Sequence, residues 1–270
     1  MSTAPIATVG ERRPRLEDER ALRGQGHYLD DASIPSMTHG VVVRSDWAHA
    51  RIVKVDATEA RGLPGVLAIL TGADQQAAGI LPMRPHAPAN VRTGEPFPID
   101  PQPILAIDKV RYVGEAVAFV VAESRHQALD AAERILIEVE ALAAVVDATS
   151  ARTDHAVQLS TQVPNNTVLD WQFGDAGATR SALSDANHVV SISVNNHRVA
   201  MNAMETRGAL GWYDAQDKRY RITLSSQNVH VIRDHIAYSL GETPSAIRAT
   251  APDVGGGFGV KGHVYPEELV

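Results

Sequence analysis

Apolar residues along this chain fall into two rhythms. Short runs rich in β-branched residues predict strands at Thr38–Val43, Ile52–Val55 and Val66–Leu70. Ala116–Val121 is apolar throughout and predicts a buried strand, whereas Leu136–Glu140 alternates and predicts a half-buried one. Helical signals lie between them. Asp56-Ala-Thr-Glu59 has the spacing of a capping box and predicts a short helix that Gly62 and Pro64 close. Ser124-Arg-His-Gln127 has the same logic, with Ala128, Leu129, Ala132 and Ile135 as the buried stripe.

The second half repeats the alternation without repeating the sequence. A helix is predicted at Ser181–Ala186, and strands at Val189–Val194, Ala209–Tyr213 and Arg219–Leu224. Ser225-Ser-Gln-Asn228 then caps a helix with stripe Val229, Ile232, Ile236 and Leu240, stopped by Gly241. A last strand, Ala246–Ala251, runs into a glycine loop. Two strand–helix units with strands of mixed direction predict an α+β domain at about residues 18–148. Residues 1–17 form an extended arm, 149–164 a polar linker, and 165–270 a second domain. From Gly79 to Pro103 the chain is rich in Pro, Asn and Gly, a loop long enough to suggest function or a partner.

Composition narrows the chemistry. The 270 residues include no cysteine, which excludes disulfides, thiolate zinc sites and any iron–sulfur cluster held by this chain's own thiolates. A net charge of −7 without long runs leaves no electrostatic footprint for nucleic acid. No apolar run is long enough to span a membrane, and Arg12-Arg13 is followed by Pro14 and charges instead of an apolar signal region. A cytoplasmic setting fits these features. His230 and His235 are five apart and do not share a helix face, so they make no metal pair. Glu267 and Glu268 are adjacent and face different ways on a helix.

The stretch Thr250-Ala-Pro-Asp-Val-Gly-Gly-Gly-Phe-Gly-Val-Lys-Gly262 concentrates the chemical interest. Glycine admits positive φ and close approach to the backbone, and a run of free amides forms a nest for an anion or oxo group. Phe258, alone among glycines, would be presented over whatever sits there. Val260 and Gly262 flank Lys261, so the phosphate-loop pattern fails; no βαβ unit follows, so the dinucleotide fingerprint fails too. If the strands before Ser225–Asn228 and before Gly255–Gly259 share a sheet, the two corners meet at one edge. A carboxamide, an aromatic ring and backbone amides would there suit an oxo-bearing cofactor. Tyr265-Pro-Glu-Glu-Leu-Val270 reads as a helix start with two residues after it, and is expected to be a truncation or split point.

At these residues the chain resembles the molybdopterin-binding large subunit of the xanthine dehydrogenase/aldehyde oxidase family, in the style of carbon monoxide dehydrogenase large chains. The resemblance runs from about residue 14 through Arg15–Asp31, Arg44–Ile52, Leu63–Val66, Arg111–Ala118, Met204-Glu-Thr-Arg207, Ser226-Gln227 and Ala251–Gly259. It implies an α/β hammerhead domain followed by an incomplete molybdopterin-binding domain. It implies that Gln227 directs its carboxamide at an oxo ligand of molybdenum, and that Gly256, Gly257, Phe258 and Gly259 line the cofactor, the ring shaping the substrate channel. No residue of this chain ligates the metal directly. The implied reaction is hydroxylation of an aldehyde or N-heterocycle, or oxidation of CO, with water as the oxygen source.

Electrons would leave through an iron–sulfur subunit and a FAD subunit, in keeping with the missing cysteines. Three departures bear on this. Val260 stands where the family often has glycine, Thr206 replaces a common proline, and Gly262 follows Lys261 where purine-oxidising members carry an acid. The general-base glutamate is expected outside this chain, on a polypeptide carrying the rest of the large subunit, and neither Glu205 nor Glu268 is assigned that role. Without that polypeptide, Ala209–Tyr213 and Ala246–Ala251 are expected to present unpaired edges. The alternative, from a different class, is a non-catalytic remnant or interaction module.

Overall fold

The computed structural model describes residues 10, 12, 14–84 and 97–270. Nine strands and six α-helices among them build three small sheets. The first sheet takes β1 (His39–Arg44), β5 (Ala116–Ala122) and β3 (Val66–Thr71), with β5 central and both pairings antiparallel. The continuous apolar character of β5 follows from that place. Ala118, Val120 and Ala122 face helix α4 (Arg125–Ala132), whose Ala128 and Ala131 are buried against them. Small side chains on both surfaces let helix and sheet approach closely. The second sheet takes β4 (Lys109–Val110), β2 (Ala50–Asp56) and β6 (Leu136–Ala141), again antiparallel.

Several local expectations are corrected. Helix α2 (Thr58–Arg61) starts from Ala57, because the Asp56 carboxylate takes the Thr58 amide at 3.0 Å and Lys54 at 2.7 Å. Glu59 pairs with Arg134 at 3.2 Å instead of closing a capping box. In α4, Ser124 Oγ accepts from the Gln127 amide and donates to Gln127 Oε1 at 2.7 Å. The buried position after Ala128 is Ala131, not Leu129, which lies open; Ile135 is buried beyond the helix end. Helix α3 (Gly72–Ala77) was not expected, although Thr71 and Asp74 form its capping box. The long Pro-rich loop falls partly at residues 85–96, outside the described residues, but its end packs inward, with Ile104 in the core of the second half.

The polar 149–164 stretch is also tied down. Lys109 Nζ donates to the Leu159 carbonyl at 2.8 Å, and the Asn166 amide spans the carbonyls of Ala151 and Val157 at 2.9 and 2.8 Å. Helix α5 (Ala176–Ser184) starts five residues earlier than expected, where Asp175 caps the Ala178 amide at 2.9 Å, and it buries no residue.

The third sheet positions the site. Its order is β7 (Ala209–Asp214), β8 (Arg219–Leu224), β9 (Ile247–Thr250); β7 pairs antiparallel with β8, and β9 runs parallel to β8. Helix α6 (Val229–Leu240) makes the crossover between the parallel strands. Its Asn228 cap accepts from Val231, and Gly241 closes it with φ 67°, a value that favours glycine. Ile232 and Ile236 pack on Ile222, Leu224 and Ile247 to make the second core. β7 and β9 are the two edges of this sheet, as expected.

The strand expected at Val189–Val194 does not form. The segment has no ladder partner among the described residues, and Val190, Ile192 and Val194 are 91, 83 and 75 % exposed. Its alternation is that of a strand, but a strand needs a neighbour to satisfy its amides and carbonyls. An exposed alternating apolar run of this kind is a template for association. Ile192→Lys should therefore reduce self-association of the isolated chain without lowering its melting temperature, as read by sedimentation velocity and calorimetry. A wild-type chain that is monomeric at tens of micromolar contradicts this.

Candidate functional site

Parallel strands joined by a helical crossover leave a crevice outside their carboxyl ends, where the two following loops face each other. Here Thr223 pairs with Thr250 at that end. Ser225–Asn228 follows β8 and Ala251–Gly262 follows β9, so the two corners expected to share an edge do so. The contact is direct. Gln227 Oε1 accepts from the Gly259 amide at 3.0 Å, and the Gln227 amide donates to the Lys261 carbonyl at 2.9 Å. A Cβ on Gly257 would lie 2.4 Å from Gln227 Cδ, so only glycine fits there without moving the carboxamide. Gly256 (φ 98°) faces the Phe258 ring in the same way, 2.9 Å from its Cε2.

Phe258 has φ 49°, in the left-handed region, and its ring is 68 % exposed. A non-glycine residue held there is strained, and the surroundings must impose it. Gln227, Gly256, Gly257, Phe258 and Gly259 are thus brought together in one corner. Beside Gly259 nothing approaches a notional Cβ within 4 Å, which leaves backbone open on that side. The Gln227 Oε1 is used by the Gly259 amide, and no hydrogen bond from its Nε2 occurs among the described residues.

The group that holds this corner was not singled out from sequence. Glu205 is a carboxylate only 9 % exposed; its Oε2 accepts from Ser225 Oγ, from the Gly255 amide at 2.8 Å and from Lys261 Nζ at 2.9 Å. Its Oε1 accepts from the Leu29 amide at 3.2 Å. Burial pushes the Glu205 pKa up, but Lys261, Ser225 and the two amides outweigh it and bring it down to about 2. A carboxylate so engaged is an anchor, not a general base. The visible signal was Met204-Glu-Thr-Arg207 together with Lys261, but nothing local joins residues 56 apart in sequence. A cavity of about 350 Å³ opens beside them, lined by Met201, Ala203, Arg207, Gly257 and Val260.

Other ties run outward. Asp253 takes both guanidinium nitrogens of Arg20, at 2.5 and 2.6 Å, and the His27 amide at 2.8 Å, which hold its carboxyl well below the usual range. Glu267 bridges Arg44 of β1 to Arg207, whose guanidinium lies 3.4 Å from the Tyr265 ring centroid. Glu268 is buried and caps the Tyr265 amide; burial pushes its carboxyl up to about 7. The expected helix start is a single 3₁₀ turn, Pro266–Glu268.

An antiparallel, helix-backed first half and a sheet-edge glycine cradle in the second define a two-part cofactor-binding architecture, and comparison with known proteins gives it a family. The profile "Aldehyde oxidase and xanthine dehydrogenase, a/b hammerhead domain" matches residues 23–143, and "Molybdopterin cofactor-binding domain" matches residues 159–270. The chain belongs to the xanthine dehydrogenase/aldehyde oxidase family, as part of a molybdopterin-binding large subunit. It is 39 % identical to the nicotine 6-hydroxylase large subunit of Paenarthrobacter nicotinovorans over 97 % of this chain and 31 % of that protein. It is 33 % identical to the carbon monoxide dehydrogenase large chain of Afipia carboxidovorans, over 95 % of this chain and 32 % of that one. A crystal structure of a Cu,Mo-CO dehydrogenase superposes with a TM-score of 0.83 at 32 % identity, covering 96 % of this chain and 33 % of the other. The chain thus spans about a third of the length of the relatives it matches.

Two outcomes follow from this geometry. Gly257→Ala should displace the Gln227 carboxamide and break its bond to Gly259, seen as loss of exchange protection at Gly259 with the α6 amides unchanged. The second concerns acid. Because the folded pKa of Glu205 lies below its ordinary 4.5, its contribution is fully present above pH 4.5 and is lost as pH falls towards 2. A melting-temperature series should therefore fall less steeply across that window in Glu205→Gln than in wild type.

Proposed function

We propose that this chain supplies the hammerhead domain, residues 18–148, and the first part of the molybdopterin-binding domain, residues 165–270, of a molybdenum hydroxylase large subunit. The reaction is oxidative hydroxylation of an aldehyde or N-heterocycle, or oxidation of CO, with water as the oxygen source. The observation that carries it is the Gln227–Gly259 corner. The Gln227 carboxamide presses against Gly257, where a Cβ would lie 2.4 Å from its Cδ, and its oxygen accepts from the Gly259 amide.

Those residues fit a molybdenum–pterin group. When bound, that group supplies the oxygen transfer and accepts the electrons. The chain's own part is to hold and orient. Gln227 donates its amide hydrogens to an oxygen of the cofactor, and Gly256, Gly257 and Gly259 let the backbone come close. The exposed Phe258 ring walls the path by which substrate reaches it. The catalytic base and most pterin contacts come from the remainder of the large subunit. Iron–sulfur and FAD subunits carry electrons onward; this chain itself has no cysteine to hold a cluster. The complex is cytoplasmic in this reading; among the described residues no helix is long and apolar enough to cross a membrane.

The test is co-expression with the rest of the large subunit and both electron-transfer subunits, followed by molybdenum and pterin analysis. Stoichiometric molybdenum is expected, with Gln227→Ala lowering hydroxylation about 10- to 100-fold. A complex without molybdenum would leave the chain an interaction module instead, and a Gln227→Ala complex of wild-type activity would remove the role given to Gln227.

A further inference from the structure

Within the glycine loop the backbone makes two short turns, Val260 donating to the Gly257 carbonyl at 3.0 Å and Gly262 to the Gly259 carbonyl at 3.1 Å. Gly256, Gly257 and Gly259 impose little on the backbone, yet Phe258 between them keeps a left-handed conformation that bulky residues avoid. Contacts from outside the loop fix where these turns sit. Both of its ends meet at one carboxylate: Gly255 donates its amide to Glu205 Oε2 at 2.8 Å, and Lys261 donates Nζ to the same oxygen at 2.9 Å. The Lys261 side chain is 1 % exposed, so this contact is shielded from water. The backbone of Lys261 completes the link, its carbonyl accepting from the Gln227 amide at 2.9 Å and from Ser226 Oγ at 3.2 Å. One lysine thus joins the anchor carboxylate to the main chain that carries the carboxamide.

We infer that the Glu205–Lys261 ion pair is the positioning element of the cradle, closing the loop from Gly255 to Lys261 and thereby setting the aim of Gln227. The inference rests on reading this loop as a cofactor cradle, but the pair acts whether or not the cofactor is bound. Both work through Gln227 and the loop amides.

The experiment is hydrogen–deuterium exchange by mass spectrometry on the full chain, read in peptides covering residues 254–262 and compared with those covering α6 and β5. Lys261→Met should speed exchange in the loop about 10-fold or more and leave α6 and β5 unchanged. Lys261→Arg should recover part of the protection, because it restores the charge. Glu205→Gln should loosen the same peptides, and the double variant should be no looser than the worse single one, the signature of one shared interaction. Unchanged loop exchange in Lys261→Met overturns the inference. So does acceleration spread equally over all strands and helices, which would make the pair a general stability contact. If Lys261→Met does not fold, Glu205→Gln carries the comparison with Lys261→Arg as the charge-retaining control, and wild-type loop exchange in Glu205→Gln overturns it. Failure here leaves the molybdopterin reading standing, since that is decided by metal content; a metal-free complex would defeat that reading without touching the exchange result.

Discussion

A carboxylate removed from water has to be surrounded by donors, and a buried ammonium has to be paired. Glu205 and Lys261 satisfy both requirements in one contact, and the Leu29, Ser225 and Gly255 donors complete the shell. Breaking such a pair leaves an uncompensated buried charge, at a cost of about 3–5 kcal/mol. That asymmetry makes the contact specific. It joins the segment after α1 (Asp18–Leu22), the corner after β8 and the glycine loop after β9, regions that share no continuous sequence. The Arg20–Asp253 clamp repeats the design on the open side, binding α1 to the strand exit just before the glycines.

Around that anchor the fold performs a simple task. Two parallel strands and the α6 crossover bring a carboxamide corner and an amide loop to one edge. Tertiary packing then presses Gln227 onto Gly257 so closely that a Cβ there would have to displace the carboxamide. The hammerhead half is tied to this edge through Arg44, Glu267 and Arg207, so the two halves meet beside the site. The apolar surface at Val190, Ile192 and Val194 fits the share of its relatives that this chain covers, about a third.

Much of this was legible in the residues. Apolar runs marked β1, β3, β5, β7 and β8, and the stripe of α6 with its Asn228 cap and Gly241 stop was read almost to the residue. These features rest on local chemistry: side-chain alternation, capping oxygens and the conformational freedom of glycine. Where local signals competed, reading failed. Asp56 chose the Thr58 amide and Lys54 over a box, and Leu129 lost its buried place to Ala131 because a close helix–sheet contact admits small residues.

By itself the sequence determined that the chain carries strand–helix units, a glycine loop unfit for nucleotide phosphates, no thiolate chemistry, and motifs of a molybdenum-hydroxylase family. Only the tertiary structure decided that Gln227 faces Gly257 and Gly259, that Glu205 is an ionised anchor, and that Lys261 is buried beside it. The reason is separation. Propensity and capping act over a few residues, whereas the bond from Lys261 to Glu205, 56 positions apart, exists only after β8, α6 and β9 have closed the intervening chain into one sheet edge.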